Sequence, residues 1–219
     1  PKVNNGFRAE NQLDNKFVVM YSGNIALTQG LETVIEAATR LRHIPEIVFV
    51  IVGEEKALQA LADYCQTVNA DNVLLRPFQP REKLPEMLAA ADVGLIVQKK
   101  NVIGFNMPSK TQVLLASGRP IVASVPLSGT AARAVQNSHG GVVVEPENPD
   151  TLANAVLELY QHPDQAELMG RQGRQHAIDQ YSFEQALNRY EALFSELTGK
   201  PVRGPQPPNS ATETTTADV

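Results

Sequence analysis

The stretch from Met107 to Ala123, M-P-S-K-T-Q-V-L-L-A-S-G-R-P-I-V-A, combines groups that could hold an anion. Pro108 suits the first position of a helix, and Ser109 and Lys110 follow where backbone N–H groups are still unpaired. A helix start of this kind carries partial positive charge, and Lys110 adds a cation able to reach a phosphate. Gly118 ends the helix, and Pro120 to Val125 reads as a β-branched strand. Taken alone, a Ser-Lys pair more often just caps and solvates a surface helix, so the rest of the chain must decide.

The segments that follow the other apolar strands are suggestive in the same way. S-G-N-I-A-L-T-Q-G after the first strand offers Gly23 for close backbone approach, with Asn24 and Gln29 beside it. It lacks G-x-G-x-x-G spacing, which argues against a nicotinamide or flavin site. G-E-E-K after the second strand brings Gly53 and Lys56, and R-P-F-Q-P after the third brings Phe78 and Gln79. The fourth strand opens into a long polar segment from Gln98 to Asn106, a length more often functional than structural. In an open doubly wound sheet, ligands lie outside the carboxyl ends of the strands, where all these residues fall.

The elements that would carry them alternate regularly. Strands are expected at 17–22, 46–52, 72–75, 92–97, 121–125 and 141–144, with helices at 31–42, 55–68, 81–90, after Pro108, and at 130–137. E-I-V-F-V-I-V is continuous and β-branched, as a strand covered on both faces should be. The pattern predicts an α/β fold: a doubly wound, parallel, six-stranded Rossmann-like sheet with helices on both faces. From Pro149 onward only helices are expected, the second at 163–180 and the last at 182–197. Asn148 should cap the first, and Ser182 with Gln185 fits a capping box. The division expected is a connector over 1–16, a Rossmann-like domain with its C-terminal helices over 17–197 and a disordered tail over 198–219.

Composition narrows the function. The 219 residues carry a formal charge of −5 without a basic stretch, and five Tyr, seven Phe and no Trp give little material for stacking bases, so no nucleic-acid partner is expected. The single cysteine, Cys65, excludes an internal disulfide framework and fits a helix face. His43, His139, His162 and His176 show no metal-ligand spacing, so no metal is expected, and no nucleophile–base pair stands out. No apolar run reaches membrane-spanning length. The chain opens at Pro1 without methionine, which suggests a piece of something longer.

Several motifs in order then resemble one family. Y-S-G-N-I-A-L-T-Q-G-L-E-T-V-I-E-A-A, F-V-I-V-G-E-E-K, A-A-A-D-V-G-L-I-V, P-S-K-T-Q-V-L-L-A-S-G-R-P-I-V-A, G-G-V-V-V-E-P-E-N-P-D-T-L-A-N-A-V and R-Q-G-R-Q-H-A-I-D-Q-Y-S-F, with V-N-N-G-F before them, cover nearly the whole chain. It resembles the carboxyl-terminal, donor-binding half of a family-four (group 1) retaining glycosyltransferase with two Rossmann domains, of the fucosamine and colanic-acid type found in bacterial exopolysaccharide and O-antigen assembly. The resemblance implies that Gly23 and Asn24 approach the diphosphate of a nucleotide sugar, with Gln29 nearby. Gly53 and Lys56 would border the nucleotide, the backbone at Phe78 and Gln79 would hold the base, Ser109 and Lys110 would receive phosphate or sugar, and Gln112 would face the ribose. The donor would be a substrate, with no further cofactor. Two family glutamates are replaced by Gly104 and Gln112, and Asn24 and Gln29 stand where many members carry Arg and Lys. By the same resemblance, residues near the acceptor would sit mainly in an amino-terminal half outside this chain, so this half alone should be inactive, and no catalytic residue stands out within it. The enzyme as a whole should be cytoplasmic, touching the inner face of the membrane only through the other half, and the final helices should pack against that half. A non-catalytic nucleotide-sugar-binding module and, more remotely, an epimerase of the same fold are the alternatives.

Overall fold

A computed structural model of the chain describes residues 4–102 and 110–199. Ser109 and Gly104, together with Pro108, lie outside the described residues, as does the expected tail beyond Gly199. The strands are β1 (Phe17–Ser22), β2 (Ile47–Gly53), β3 (Val73–Pro77), β4 (Val93–Val97), β5 (Ile121–Ser124) and β6 (Gly141–Val144). Between and after them run α1 (Gly6–Glu10), α2 (Leu31–Leu41), α3 (Glu55–Thr67), α4 (Leu84–Ala90), α5 (Lys110–Ser117), α6 (Thr130–Asn137), α7 (Pro149–Gln161), α8 (Pro163–Tyr181) and α9 (Phe183–Thr198).

The strands form one parallel sheet in the order β3-β2-β1-β4-β5-β6, the doubly wound arrangement that the alternation predicts. Alternate residues of β1 and β2 feed two cores, as the period of a strand requires. Val19, Tyr21, Phe49 and Ile51 pack with Val34, Ile35 and Leu152 on one side. On the other, Val18, Met20, Val50 and Val52 pack with Phe7, Leu13 and Met87. Two-sided burial of this kind explains why β2 reads as an unbroken apolar run.

Two local differences from the sequence reading have physical causes. The helix expected at 81–90 is a short 3-10 turn, Arg81–Lys83, followed by α4, whose Pro85 suits an opening helical turn and has no N–H to give further in. The segment read as a connector carries α1, a five-residue helix too short to show periodicity, capped by the Asn5 side chain accepting from the Arg8 amide. Arg8 is buried: its guanidinium donates to the carbonyls of Ala90, Leu13 and Lys16 and pairs with Asp92 Oδ2 at 2.5 Å.

The chain divides into two units between Ile178 and Asp179. In the second, the Ser182 hydroxyl accepts from the Gln185 amide at the start of α9, as the capping residues predict. Phe183, Tyr190, Phe194 and Leu197 along this helix are exposed. Among the described residues no helix is long and apolar enough to cross a membrane.

Candidate functional site

At the centre of the sheet the crossovers from β1 and β4 run to opposite sides, so a crevice opens at their carboxyl ends. β1 and β4 pair over only two residues, Val19 with Val93 and Met20 with Gly94, leaving the upper ends of the two strands free to diverge. A cleft of about 390 Å3 occupies that position, lined by Ser22, Gly23, Asn24, Gln29, Leu84, Leu88, Lys110, Val113 and Leu114.

Lys110, in the first turn of α5, brings the charge. Its Nζ is enclosed and makes no hydrogen bond among the described residues, and it sits 3.8 Å from the centroid of the Tyr21 ring. Burial lowers the ammonium from its ordinary range to about 8. Among the described residues the wall contains no carboxylate to neutralise it. An enclosed cation with donors to spare is a receptor for an anion.

Backbone geometry explains the glycines. A side chain at Gly23 would place its Cβ 2.7 Å from Lys110 Nζ, and the backbone there has φ of +152°. A Cβ at Gly53 would lie 2.3 Å from Ile25 Cδ1 and 3.3 Å from the Gly23 carbonyl oxygen, so the ends of β1 and β2 meet at close range. The Gly23 amide donates to the Val52 carbonyl, and the Phe78 amide donates to the Gly53 carbonyl, linking three strand ends in series. The Tyr21 hydroxyl donates to the Asn24 carbonyl at 2.6 Å, and burial raises this phenol well above its ordinary range. On the far side, the Lys99 amide donates to the Thr28 carbonyl, while Lys100 pairs with Glu145 and its amide donates to Glu147. The segment after β4 is thereby tied both to the loop after β1 and to the segment after β6.

The structure thus brings Gly23, Asn24, Gln29 and Lys110 into one wall. Gly53 stands behind Gly23 as a spacer. Lys56 is exposed in the first turn of α3, Phe78 is 52% exposed, and the Gln79 amide turns back onto the Pro77 carbonyl. Gln112, expected to face a ribose, is exposed on α5 and is not among the residues lining the cleft, because Lys110, Val113 and Leu114 take the inward positions of that turn. Sequence reasoning did not find Tyr21, which reads as a core strand residue, or the apolar wall of Leu84, Leu88, Val113 and Leu114. That wall exists only because α4 and α5 come together, and strand-end reasoning carries no signal for it.

A larger cleft, about 880 Å3, lies near the amino ends of β1 and β4 and is lined by Arg8, Lys16 and Asp92 among others. Arg8 is already engaged there with Asp92 and three carbonyls, and the doubly wound sheet places ligands at the opposite ends of its strands. The smaller cleft is therefore the candidate site.

Residues 4–176 match the family described as glycosyl transferases group 1. The chain belongs to the group 1 glycosyl transferases. Among the relatives of this group 1 domain, WcaI of Escherichia coli (strain K12), named as a glycosyl transferase of colanic acid biosynthesis, is 36% identical over 152 residues, 68% of this chain and 37% of that protein. A protein of Mycolicibacterium smegmatis named GDP-mannose-dependent alpha-(1-6)-phosphatidylinositol monomannoside mannosyltransferase is 29% identical over 188 residues, covering 84% of this chain and 49% of its own length. The chain thus spans half or less of these curated relatives. Among solved structures, Alr3699/HepE of Anabaena in complex with UDP superposes with a TM-score of 0.74 at 16% identity, covering 88% of this chain and 51% of that one. The C-terminal domain of LpcC, a group 1 family protein of Francisella tularensis, superposes with a TM-score of 0.65 at 18% identity, covering 84% of this chain and 95% of that one. At these identities the structures speak for the fold, and all show the same sheet-and-helix arrangement as this group 1 domain.

Proposed function

We propose that this group 1 domain binds a nucleotide-diphosphate sugar in the cleft between β1, α4 and α5, as the donor half of a retaining glycosyltransferase acting on a polysaccharide or lipid-linked acceptor. The enclosed Lys110 ammonium, facing the Gly23–Asn24 turn across a wall without carboxylates, carries this reading. Support comes from relatives named for a GDP-mannose donor and from a fold neighbour crystallised with UDP.

Transfer requires the leaving diphosphate to be stabilised as its bond to the sugar breaks, while an acceptor hydroxyl attacks the same face. Lys110 supplies a fixed positive charge in a dry setting, where it counts for more than in water. The Gly23 turn, free of side-chain bulk, lets backbone approach the phosphates, and the Asn24 and Gln29 amides add neutral donors in place of charged ones. Leu84, Leu88, Val113 and Leu114 give the same space an apolar wall. On this reading the acceptor and the residues that handle its proton belong to the remainder of the whole enzyme, and the proposed setting is the cytoplasm, with any membrane contact made through that remainder.

Calorimetric titration of the chain with UDP, GDP and their sugar conjugates tests the reading. Saturable binding to one base, weakened at least roughly tenfold in Lys110→Ala and only a few-fold in Gln112→Ala, is expected. No binding of any nucleotide, or binding untouched by Lys110→Ala, overturns it. Gln112 and Gly104, standing where the resemblance expects glutamates, favour a second reading, a module that binds nucleotide sugar without transfer. That reading predicts binding by the chain but no glycosyl product from the whole protein.

A further inference from the structure

Tyr21 lies beneath the cleft rather than in its lining, and the donor site as proposed makes no use of it. Its side chain is fully buried, yet both of its functional surfaces point to the residues that would touch the diphosphate. The ring face meets Lys110 Nζ at 3.8 Å, and the hydroxyl donates to the Asn24 carbonyl at 2.6 Å. We propose that Tyr21 is a positioning residue of the donor site: its ring seats the Lys110 ammonium and its hydroxyl fixes the Gly23–Asn24 turn, so one side chain sets both phosphate-facing groups in register. The inference rests on the donor-cleft reading above.

The geometry leaves few other ways to hold Lys110. Space beside Nζ is closed on one side by Gly23, where a Cβ would come within 2.7 Å, so the ammonium is confined between that turn and the ring. No counter-charge does the work instead. α4 presents Leu84 and Leu88 to the cleft, α5 presents Val113 and Leu114, and β1 with its loop presents Ser22, Asn24 and Gln29. Residues 101–109 carry no ionisable side chain, and Lys99, the next cation on that side, lies with its stem over Gly30. Among the described residues facing Lys110, Tyr21 is thus the titratable one, and it stays a neutral phenol throughout the range that matters because burial raises it. An aromatic face attracts an ammonium through its quadrupole, most strongly where water is excluded.

The pH dependence of nucleotide binding separates seating from mere packing. A phosphate binds the charged form of Lys110, which burial holds at about 8 in the empty site. Affinity is therefore full below that pH and falls as pH rises through it, by up to about tenfold per unit until the higher value of the bound state is reached. UDP and GDP are titrated against the chain from about pH 7 to about pH 10, with Tyr21→Leu, Tyr21→Phe and Lys110→Met alongside. Tyr21→Leu removes the ring, so the charged form loses its seat and the fall begins roughly 0.4–1.5 pH units lower. Tyr21→Phe keeps the ring and frees the turn, so the onset stays in place while affinity drops roughly two- to tenfold. Lys110→Met binds weakly with no fall over this range.

An unshifted onset in Tyr21→Leu overturns the proposal. If that variant does not fold, Tyr21→Phe decides: an onset that moves, or an affinity that does not change, overturns it. Failure of the parent chain to bind either nucleotide, or undiminished binding by Lys110→Met, instead removes the donor-cleft reading itself and the proposal with it.

Discussion

Replacing Arg8 with methionine should strip the fold of its most heavily used buried side chain. The guanidinium donates to Ala90 at 2.9 Å, to Leu13 at 3.0 Å and to Lys16 at 2.9 Å, and its remaining arm pairs with Asp92, whose same oxygen accepts from the Val18 amide at 2.8 Å. Both partners of the pair are nearly enclosed. Methionine has similar reach and no donors, so three carbonyls and one carboxylate lose a guanidinium at once. Removing one partner of a buried, hydrogen-bonded ion pair costs about 3–5 kcal/mol, the neutral bonds lost with it included. That is a large part of the roughly 5–15 kcal/mol that holds a domain together. In urea, at a slope of about 2 kcal/mol per molar, the unfolding midpoint followed by circular dichroism should fall by about 2 M. Asp92→Asn discriminates further, since its amide oxygen still serves the Val18 amide while the charge is gone. Arg119, lowered by burial and by the neighbouring Arg8, is held up by Asp92, so this variant deprives two guanidiniums of one anion. It should cost as much as Arg8→Met. A loss below about 1 kcal/mol in Arg8→Met would show that the segment before β1 lies outside the cooperative unit, and the reasoning would fail.

Three other substitutions probe separate parts of the chain. Gly141→Ala sets a Cβ 2.0 Å from the Ile121 carbonyl oxygen, a backbone atom that cannot yield without breaking the β5–β6 pairing, so thermal melting should show a loss of more than about 3 kcal/mol. Gly23→Ala should cost about 1–3 kcal/mol in melting, because φ of +152° strains any side chain there, and should weaken UDP or GDP binding at least roughly tenfold in calorimetry, because the new methyl meets the Lys110 ammonium. Tyr64 donates to Glu36 Oε1 at 2.6 Å, and this bond, with burial and the charges of Glu36 and Glu32, pushes the phenol up to about 12. Its folded value exceeds the unfolded value near 10, so the contribution is complete below about pH 10 and disappears as pH rises through about 12. Denaturation of Tyr64→Phe should show a cost of about 1 kcal/mol at neutral pH that vanishes over that alkaline range.

The parts of the molecule that were readable in the chain share a physical basis. Strands such as E-I-V-F-V-I-V and V-G-L-I-V announce themselves because residues covered on both faces must all be apolar, and their alternation with helices pointed to a parallel, doubly wound sheet. Lys110 was readable because a lysine beside a proline at a helix start has a definable electrostatic setting. Tyr21 was not, since a tyrosine in F-V-V-M-Y-S carries the same pattern whether its hydroxyl holds a turn or lies idle. The apolar wall was equally hidden: Leu84 and Val113 are adjacent only through the packing of two helices from different crossovers. Gln112, a position assigned from resemblance, is exposed on α5 and outside the lining of the cleft, which helical spacing alone does not reveal. α1 is not legible because five residues cannot display a helical period, although Asn5 is of a type that favours the capping position it takes.

The two-residue pairing of β1 with β4 gives the domain a modular build. β1 to β3 come from the first part of the chain and β4 to β6 from the second, so each half-sheet is assembled from its own stretch of sequence; in the sheet the halves are stitched at two residue pairs, with Asp92 bridging to Arg8 and the Val18 amide beside them. What clasps them is α7: it leaves the edge strand β6, returns across the sheet, and buries Leu152, Ala153, Val156 and Leu159 in the same core as Val34 and Ile35 of α2, with Asp150 paired to Arg40. A gene cut within the 81–90 stretch and rejoined to a relative would keep every register inside both halves and would have to match at the stitch, α4 and the clasp. The loops of the two halves meet where Lys110 lies over Tyr21 and where the Lys99 amide donates to Thr28, so an exchange at this seam leaves each half-sheet intact and puts its remaining demand for matching on those few contacts.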